Sequence, residues 1–140
     1  EAALDTSSAH NIAVQKISRC FASAPVPVSD QSWFKNAVVH ATTTLNPADT
    51  LAALHEVEAH FGRQRRIRNE ARVLDIDLLD FGGMHNDDLS LLLPHPRMHQ
   101  RAFVLLPLRD LAPDWVHPVT GKTIQTLIDA LPDDQIIRPV

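Results

Sequence analysis

Alternating apolar and polar positions predict strands in the first third of the chain. Residues 11 to 21 alternate, with a slip near Lys16, and are predicted to form one strand. Residues 36 to 45, rich in valine and threonine, predict a second strand. Residues 23 to 30, which lie between these two strands, contain two prolines and indicate a loop.

Helical spacing follows the second strand. Residues 46 to 61 place apolar side chains three and four positions apart, and Gly62 is the expected C-terminal cap of this helix. Residues 100 to 111 predict a second helix that Pro107 interrupts. Residues 122 to 131 predict a third helix with one apolar face.

A further strand and turn are expected between the first two helices. Residues 72 to 81 alternate cleanly and end at a Gly-Gly pair, which predicts a strand and then a turn that contains Asp80. Residues 89 to 93 are predicted to form the returning arm of this hairpin. Because strands come in adjacent pairs with helices between them, we expect an α+β fold with a mainly antiparallel sheet.

Composition narrows the class of protein. The 140 residues are 44% hydrophobic and 21% charged, which fits a single globular domain over residues 1–140. No apolar run approaches the roughly 18 residues of a membrane span, and no signal peptide is evident. The one cysteine, Cys20, cannot form an internal disulfide, so a cytoplasmic protein is expected. The net charge of −4 argues against a general nucleic-acid or membrane-surface binder.

Arginines are concentrated in one segment of this acidic chain. Five of the 13 basic residues are arginines between Arg63 and Arg72, and Arg101 follows further along. The planar guanidinium group binds phosphate through two hydrogen bonds, which a lysine cannot do. Two interpretations stay open for this segment: a phosphate-binding loop, or a solvated basic loop paired with acids such as Glu56 and Glu70.

Two aspartates directly follow the arginine segment. In a strand, Asp75 and Asp77 would share one face at about 7 Å along the chain, a spacing that suits one or two divalent cations. The alternative is one solvated face of an ordinary strand. Glu58 lies at the edge of the apolar stripe of its helix, where it is expected either to pair with an arginine or to brace the site from behind.

Three motifs in fixed order resemble one known family. They are Gly62-Arg-x-Arg-x-x-Arg, Arg72-x-Leu-Asp-x-Asp-Leu-Leu and Leu93-Pro-His-Pro-Arg-Met-x-x-Arg-Ala-Phe. The combination resembles the 6-hydroxymethyl-7,8-dihydropterin pyrophosphokinase family, and the resemblance extends from about residue 12 to residue 131.

The resemblance implies a fold, a reaction and a set of site residues. The fold would be a ferredoxin-like α+β sandwich, and the reaction would transfer diphosphate from ATP to the pterin hydroxymethyl group in folate biosynthesis, with release of AMP. Two Mg²⁺ ions would be held by Asp75 and Asp77. We expect a monomer that acts on these small molecules and has no nucleic-acid or membrane partner. Catalytic roles are implied for Asp75, Asp77, Arg63 and Arg72, ATP binding for Arg63, Arg65, Arg72, Leu78, His95 and Arg101, pterin binding for Ser23, Ala24, Val26, Phe34, Asn36 and Phe103, and a supporting role for Glu58.

The sequence also departs from the pattern of that family. It contains no Gly-Ser-Asn, the end of the family's first strand, and is therefore interpreted as a fragment or a shortened member. The arginine loop has Asn69-Glu-Ala in place of Trp-Gly-Pro. A family-like domain that binds ATP or pterin without turnover is therefore one alternative function. A Mg²⁺-dependent phosphodiesterase or nuclease is another, although it would leave Asn36 and the Pro-His-Pro segment without a role.

Overall fold

A computed structural model describes residues 11–24, 34–63 and 75–140, with the backbone alone for residues 61–63. Four strands precede the helices in these ranges and a fifth strand follows them, and all strand pairs are antiparallel, which confirms the predicted α+β class. The strands are β1 (Ile12–Ile17), β2 (Phe21–Ser23), β3 (Phe34–Asn36), β4 (Val39–Thr43) and β5 (Ile137–Pro139). The α-helices are α1 (Pro47–Arg63), α2 (Ala102–Leu111) and α3 (Ile124–Asp129), and a 3₁₀ helix spans Met98–Gln100.

The described strands form two sheets. β1 pairs with β4, while β2 lies between β3 and β5. The slip predicted near Lys16 is confirmed as a register shift between Val14 and Lys16. The predictions of one strand over residues 11 to 21 and of one over residues 36 to 45 are wrong, because both segments cross from one sheet to the other.

A reciprocal contact fixes the chain at this crossing between the sheets. Ser18 donates its backbone N–H to the carbonyl of Val38, and the backbone N–H of Val38 donates to the Ser18 hydroxyl, both at 2.9 Å. Both residues are buried, so these hydrogen bonds satisfy polar groups that the sheets do not pair. The two strand breaks therefore occur side by side.

Helix α1 covers the sheet of β1 and β4. It begins as predicted, with the Asn46 side chain accepting the Asp49 N–H at 2.8 Å. The prediction that Gly62 caps its end is wrong, because the helix continues through that residue to Arg63. The buried residues Ala53 and Leu54 of this helix form a small core with Ile12 of β1.

A second core forms around α2 and α3. Its buried residues include Val38, Met98, Leu105 and Leu127. The predicted interruption at Pro107 is wrong, since α2 runs through that residue and loses only the one hydrogen bond that a proline cannot donate. The third predicted helix is confirmed in a shorter form, and the Thr123 side chain caps its start.

The predicted hairpin between the first two helices is wrong. Residues 75–80 form no strand, and residues 89 to 93 contribute only an isolated bridge between Asn86 and Leu93. Their backbone groups bond elsewhere, as shown by the Leu79 carbonyl, which accepts the N–H of His95 at 2.8 Å. The predicted turn is confirmed, with Asp80 accepting the Gly83 N–H at 3.1 Å. No helix within the described ranges is long and apolar enough to cross a membrane.

A buried histidine stabilises the turn that precedes α3. The Nδ1 atom of His117 accepts the backbone N–H groups of Val119 and Thr120, both at 3.2 Å. Burial lowers the pKa of the His117 imidazole, and His99 lowers it further, against a smaller opposing effect of Asp80. Protonation would add a charge to a buried ring and abolish both hydrogen bonds, so the fold favours the neutral form.

Acidification is therefore expected to destabilise the protein in part through His117. Its pKa is lower in the folded chain than in the unfolded chain, so the unfolded chain binds more protons and stability falls between about pH 7 and pH 5. The variant His117→Asn should show a shallower decrease of Tm with falling pH than the wild type. His85→Asn, which replaces an exposed histidine, serves as the control. Equal pH slopes for His117→Asn and the wild type would contradict this prediction.

Candidate functional site

The two aspartates lie on the solvent-exposed side of residues 75–78, a segment that packs against the core of α1 and β1. Asp75 and Asp77 are exposed, whereas Ile76 and Leu78 are half-buried against the core that α1 forms with β1. The alternation of faces expected from the sequence is therefore present, although the segment is not part of a sheet. The apolar residues anchor the segment, and both carboxylates face water.

A side chain of α1 holds this acidic segment. Glu58 is half-buried, and its carboxylate accepts the backbone N–H of Ile76 at 2.5 Å. That amide lies between the two aspartates in the chain. Of the two partners expected for Glu58, the structure thus shows a bracing contact, while the arginines from Arg65 to Arg72 fall outside the described residues.

A groove lies beside Asp77. It is open to solvent, has a volume of about 260 Å³ between α1 and the chain from residue 90 to residue 96, and adjoins a wider depression of about 440 Å³. Its walls combine apolar side chains with a few polar ones, as small-molecule sites commonly do. The residues that line the groove are Leu51, His55, Ile76, Asp77, Leu78, Ser90, Leu91, Leu92, His95 and Pro96.

His95 faces this groove from the wall opposite α1. Its Nδ1 atom accepts the backbone N–H of Arg97 at 3.2 Å, which leaves the proton of the neutral ring on Nε2. Burial lowers the pKa of His95; the Asp77 carboxylate raises it, while the guanidinium groups of Arg101 and Arg97 lower it. The net shift is downward, so at neutral pH the ring is an uncharged hydrogen-bond donor near the acidic segment.

Arg101 and Phe103 lie where the 3₁₀ helix passes into α2. The guanidinium carbon of Arg101 stands 5.3 Å from the centroid of the Phe103 ring, within cation–π distance. Both side chains are half-buried. The ring therefore restrains the charged group and provides an aromatic surface beside it.

The described candidate pterin residues come from neighbouring elements. Ser23 of β2 pairs with Phe34 of β3, and Asn36 lies two residues further along β3, on the same face as Phe34. Ala24 directly follows β2 and is buried. Helix α2, which carries Phe103, packs against β2 and β3.

The remaining candidates lie outside the described residues, and sequence reasoning missed two others. Val26, Arg65 and Arg72 are not described, and the same holds for the side chain of Arg63. No role was expected for His55, which lines the groove four residues after Leu51, a helical spacing that could have revealed it. Gln135, whose side chain bonds the backbone on both sides of Arg101, had no sequence signal at all.

The donor set at the acidic segment is small. Among the described residues, no group of three or more histidine, cysteine, aspartate or glutamate side chains is arranged to hold a metal ion. Asp75 and Asp77 offer carboxylate oxygens, the ligands that Mg²⁺ prefers, and Glu58 is already bonded to Ile76. The pair fits a hard divalent cation whose other ligands are substrate oxygens or water.

Comparison with known proteins assigns the chain to a family. The family model for 7,8-dihydro-6-hydroxymethylpterin-pyrophosphokinase matches residues 1–113. A 2-amino-4-hydroxy-6-hydroxymethyldihydropteridine pyrophosphokinase of Pseudomonas aeruginosa is 42% identical over 122 residues, which are 87% of this chain and 75% of that protein. The chain belongs to the pyrophosphokinase family of this name, as its motifs predict.

Other relatives are longer than this chain. A Synechocystis protein named as the same pyrophosphokinase is 43% identical over 105 residues, 75% of this chain and 53% of its own length. The folic acid synthesis protein fol1 of Pneumocystis carinii is 38% identical over 138 residues, 99% of this chain and 18% of its own length. The chain thus spans about half of the first of these proteins and under a fifth of the second.

Proposed function

We propose that this chain transfers the β,γ-diphosphate of ATP to the hydroxymethyl oxygen of 6-hydroxymethyl-7,8-dihydropterin in folate biosynthesis. The bond between the α,β-bridging oxygen and the β-phosphorus breaks, a bond from the hydroxyl oxygen to that phosphorus forms, and AMP leaves. One observation carries the proposal. Asp77 belongs to a pair of carboxylates whose backbone Glu58 holds, and it lines one groove together with His95, in a chain of this family.

The carboxylate pair suits a magnesium site. We propose that Asp75 and Asp77 hold two Mg²⁺ ions together with the oxygens of the ATP phosphates. When bound, these ions neutralise phosphate charge and make the attacking hydroxyl more acidic. Asp77 would assist removal of the hydroxyl proton, and the contact between Glu58 and Ile76 would keep both carboxylates in register with the groove.

The groove beside Asp77 suits the nucleotide. Half-buried leucines, Leu51 and Leu78 among them, offer an apolar surface for the base. The Nε2–H of His95 would donate to a phosphate oxygen without adding charge, and the guanidinium of Arg101 would neutralise the transferred group. The resemblance assigns Arg63, Arg65 and Arg72 to the same triphosphate.

The sheet of β2 and β3 suits the pterin. A flat heteroaromatic ring needs aromatic surfaces above and below it, and Phe34 and Phe103 are proposed to supply them. Asn36 would pair with the donor and acceptor atoms at the ring edge, with Ser23 and Ala24 beside it. Val26 completes the set by resemblance.

We further propose that the chain acts as a monomer in the cytoplasm. The lone cysteine suits a reducing compartment. Light scattering during size-exclusion chromatography measures the oligomeric state. A measured mass of two chains would contradict the proposed monomer.

Product chromatography tests the proposed reaction. ATP and Mg²⁺ are incubated with the protein, with and without the dihydropterin, and AMP and ADP are quantified. We expect AMP to form only when the pterin is present, and we expect no ADP. A folded sample that binds both substrates and releases no AMP would overturn the proposal in favour of a binding domain without turnover.

Glu58 provides a test of the bracing contact. Glu58→Ala leaves the Ile76 amide without its acceptor, and we expect AMP formation to fall about 10- to 100-fold because the carboxylates lose their fixed position. Glu58→Gln retains an acceptor oxygen and should keep most of the activity. Asp49→Asn, which changes an exposed acid in the first turn of the same helix, is the control. Wild-type turnover in Glu58→Ala would refute the bracing role.

A further inference from the structure

The N-terminus of α2 is capped from a distant part of the chain. Arg101 occupies the N-cap position, where a side-chain acceptor normally bonds a free backbone N–H, but a guanidinium group has no acceptor. Arg101 makes no such bond. The acceptor comes instead from Gln135, whose Oε1 atom takes the Ala102 N–H at 2.8 Å.

The side-chain amide of Gln135 also bonds the residue that precedes Arg101. The Nε2 atom of Gln135 donates to the carbonyl of Gln100 at 2.9 Å. One half-buried side chain thus bonds the residue before and the residue after Arg101. This pair of hydrogen bonds fixes the local backbone, while the Arg101 side chain stays free to extend over the Phe103 ring.

The residues next to Gln135 bond to the strand with the candidate pterin residues. The carbonyl of Ile136 accepts the Ala24 N–H at 3.0 Å, and Ile137 of β5 pairs with Ser23 of β2. Residues 135–137 therefore connect the Arg101 segment to β2. The match to the family model covers residues 1–113, so residues 135–137 lie outside the matched range.

We infer that Gln135 is a positioning residue for substrate transfer. Through its two hydrogen bonds it sets Arg101, proposed to bind the transferred phosphate, at a fixed distance from the β2 residues proposed to bind the pterin. The inference rests on the proposed function. A reaction between positioned groups slows steeply when one group is displaced by even about 1 Å. Removal of the two Gln135 hydrogen bonds should therefore slow diphosphate transfer.

Three variants test the role of Gln135. Gln135→Met keeps the length of the side chain and removes both hydrogen bonds, whereas Gln135→Glu keeps the acceptor for Ala102 and loses the donor to Gln100. Gln125→Met changes an exposed glutamine on α3 and is the control. We expect kcat/KM to fall about tenfold in Gln135→Met, to fall less in Gln135→Glu, and to stay unchanged in the control.

A double-mutant cycle separates positioning from general stability. In an Arg101→Ala background, the effect of Gln135→Met on kcat/KM should largely disappear, because Gln135 acts through Arg101. A Gln135→Met protein with a lowered Tm and wild-type kinetics would overturn the inference, as would additive effects in the cycle. If Gln135→Met does not fold, the kinetics of Gln135→Glu test the inference instead. Wild-type kinetics in Gln135→Glu would then overturn it.

Hydrogen exchange tests the role of Gln135 without depending on the proposed reaction. The Ala102 amide should exchange faster in Gln135→Met and remain protected in Gln135→Glu, and affinity for a non-hydrolysable ATP analogue should fall in the order of the kinetic series. If the wild type forms no AMP, the proposed reaction has failed, and these two readouts still test the link. Unchanged Ala102 exchange together with unchanged affinity in Gln135→Met would refute it.

Discussion

Replacing Asp77 with asparagine is expected to reduce AMP formation by about 10²- to 10³-fold, the usual cost of removing one electrostatic group from a transfer site. The amide keeps the shape of the side chain and removes the charge that would hold a divalent cation beside the groove. Pterin affinity should change much less, since the described candidate pterin residues lie on or next to β2, β3 and α2. Steady-state AMP assays and pterin binding titrations measure the two effects.

Asp87→Asn is the matched control for this prediction. Asp87 is a highly exposed carboxylate in the loop beyond the Gly-Gly turn, where it pairs with His85 and does not line the groove beside Asp77. Its replacement should leave turnover unchanged. Near-normal turnover in a folded Asp77→Asn protein would show that the carboxylate pair is not the cation site.

Loss of the Arg101 guanidinium is expected to have the second-largest effect. Arg101→Ala should lower kcat/KM for ATP about 100-fold, because the phosphate loses a charged partner that the Phe103 ring holds in place. Arg101→Lys should recover only part of this loss. A lysine keeps the charge, but it has no planar fork for two hydrogen bonds and does not stack flat on the ring.

Arg109→Ala provides the comparison within the same helix. Arg109 is exposed on α2, donates to Gln125 and is not among the residues that line the groove. We expect wild-type kinetics in this variant. Full recovery of activity by Arg101→Lys would show that only charge matters at this position, and unchanged kinetics in Arg101→Ala would exclude a phosphate contact.

The sequence predicted those parts of the fold that local signals determine. The start of α1 follows from the Asn46 cap, and the shift in β1 follows from the broken alternation near Lys16. The strand expected over residues 72 to 81 was wrong because alternation indicates which side chains are buried and does not indicate a pairing partner. The Ile76 amide bonds instead to Glu58, a side chain 18 residues away.

The candidate site shows the same difference between local sequence signals and contacts that are distant in the sequence. Asp77, His95 and Arg101 were predicted because they belong to motifs whose order along the chain is specific, and the structure places the first two on one groove. Gln135 was not predicted because its proposed role depends on a contact across 33 residues with a backbone amide. A glutamine in an otherwise ordinary C-terminal segment carries no pattern that would predict such a contact.

Transfer of labelled phosphate tests the central claim most directly. ATP that carries ³²P at its β-phosphorus is incubated with the protein, Mg²⁺ and the dihydropterin, and the products are separated. We expect the label to move to the pterin product and the accompanying AMP to be unlabelled. Labelled ADP with an unlabelled pterin product would show transfer of the γ-phosphate alone and would contradict diphosphate transfer.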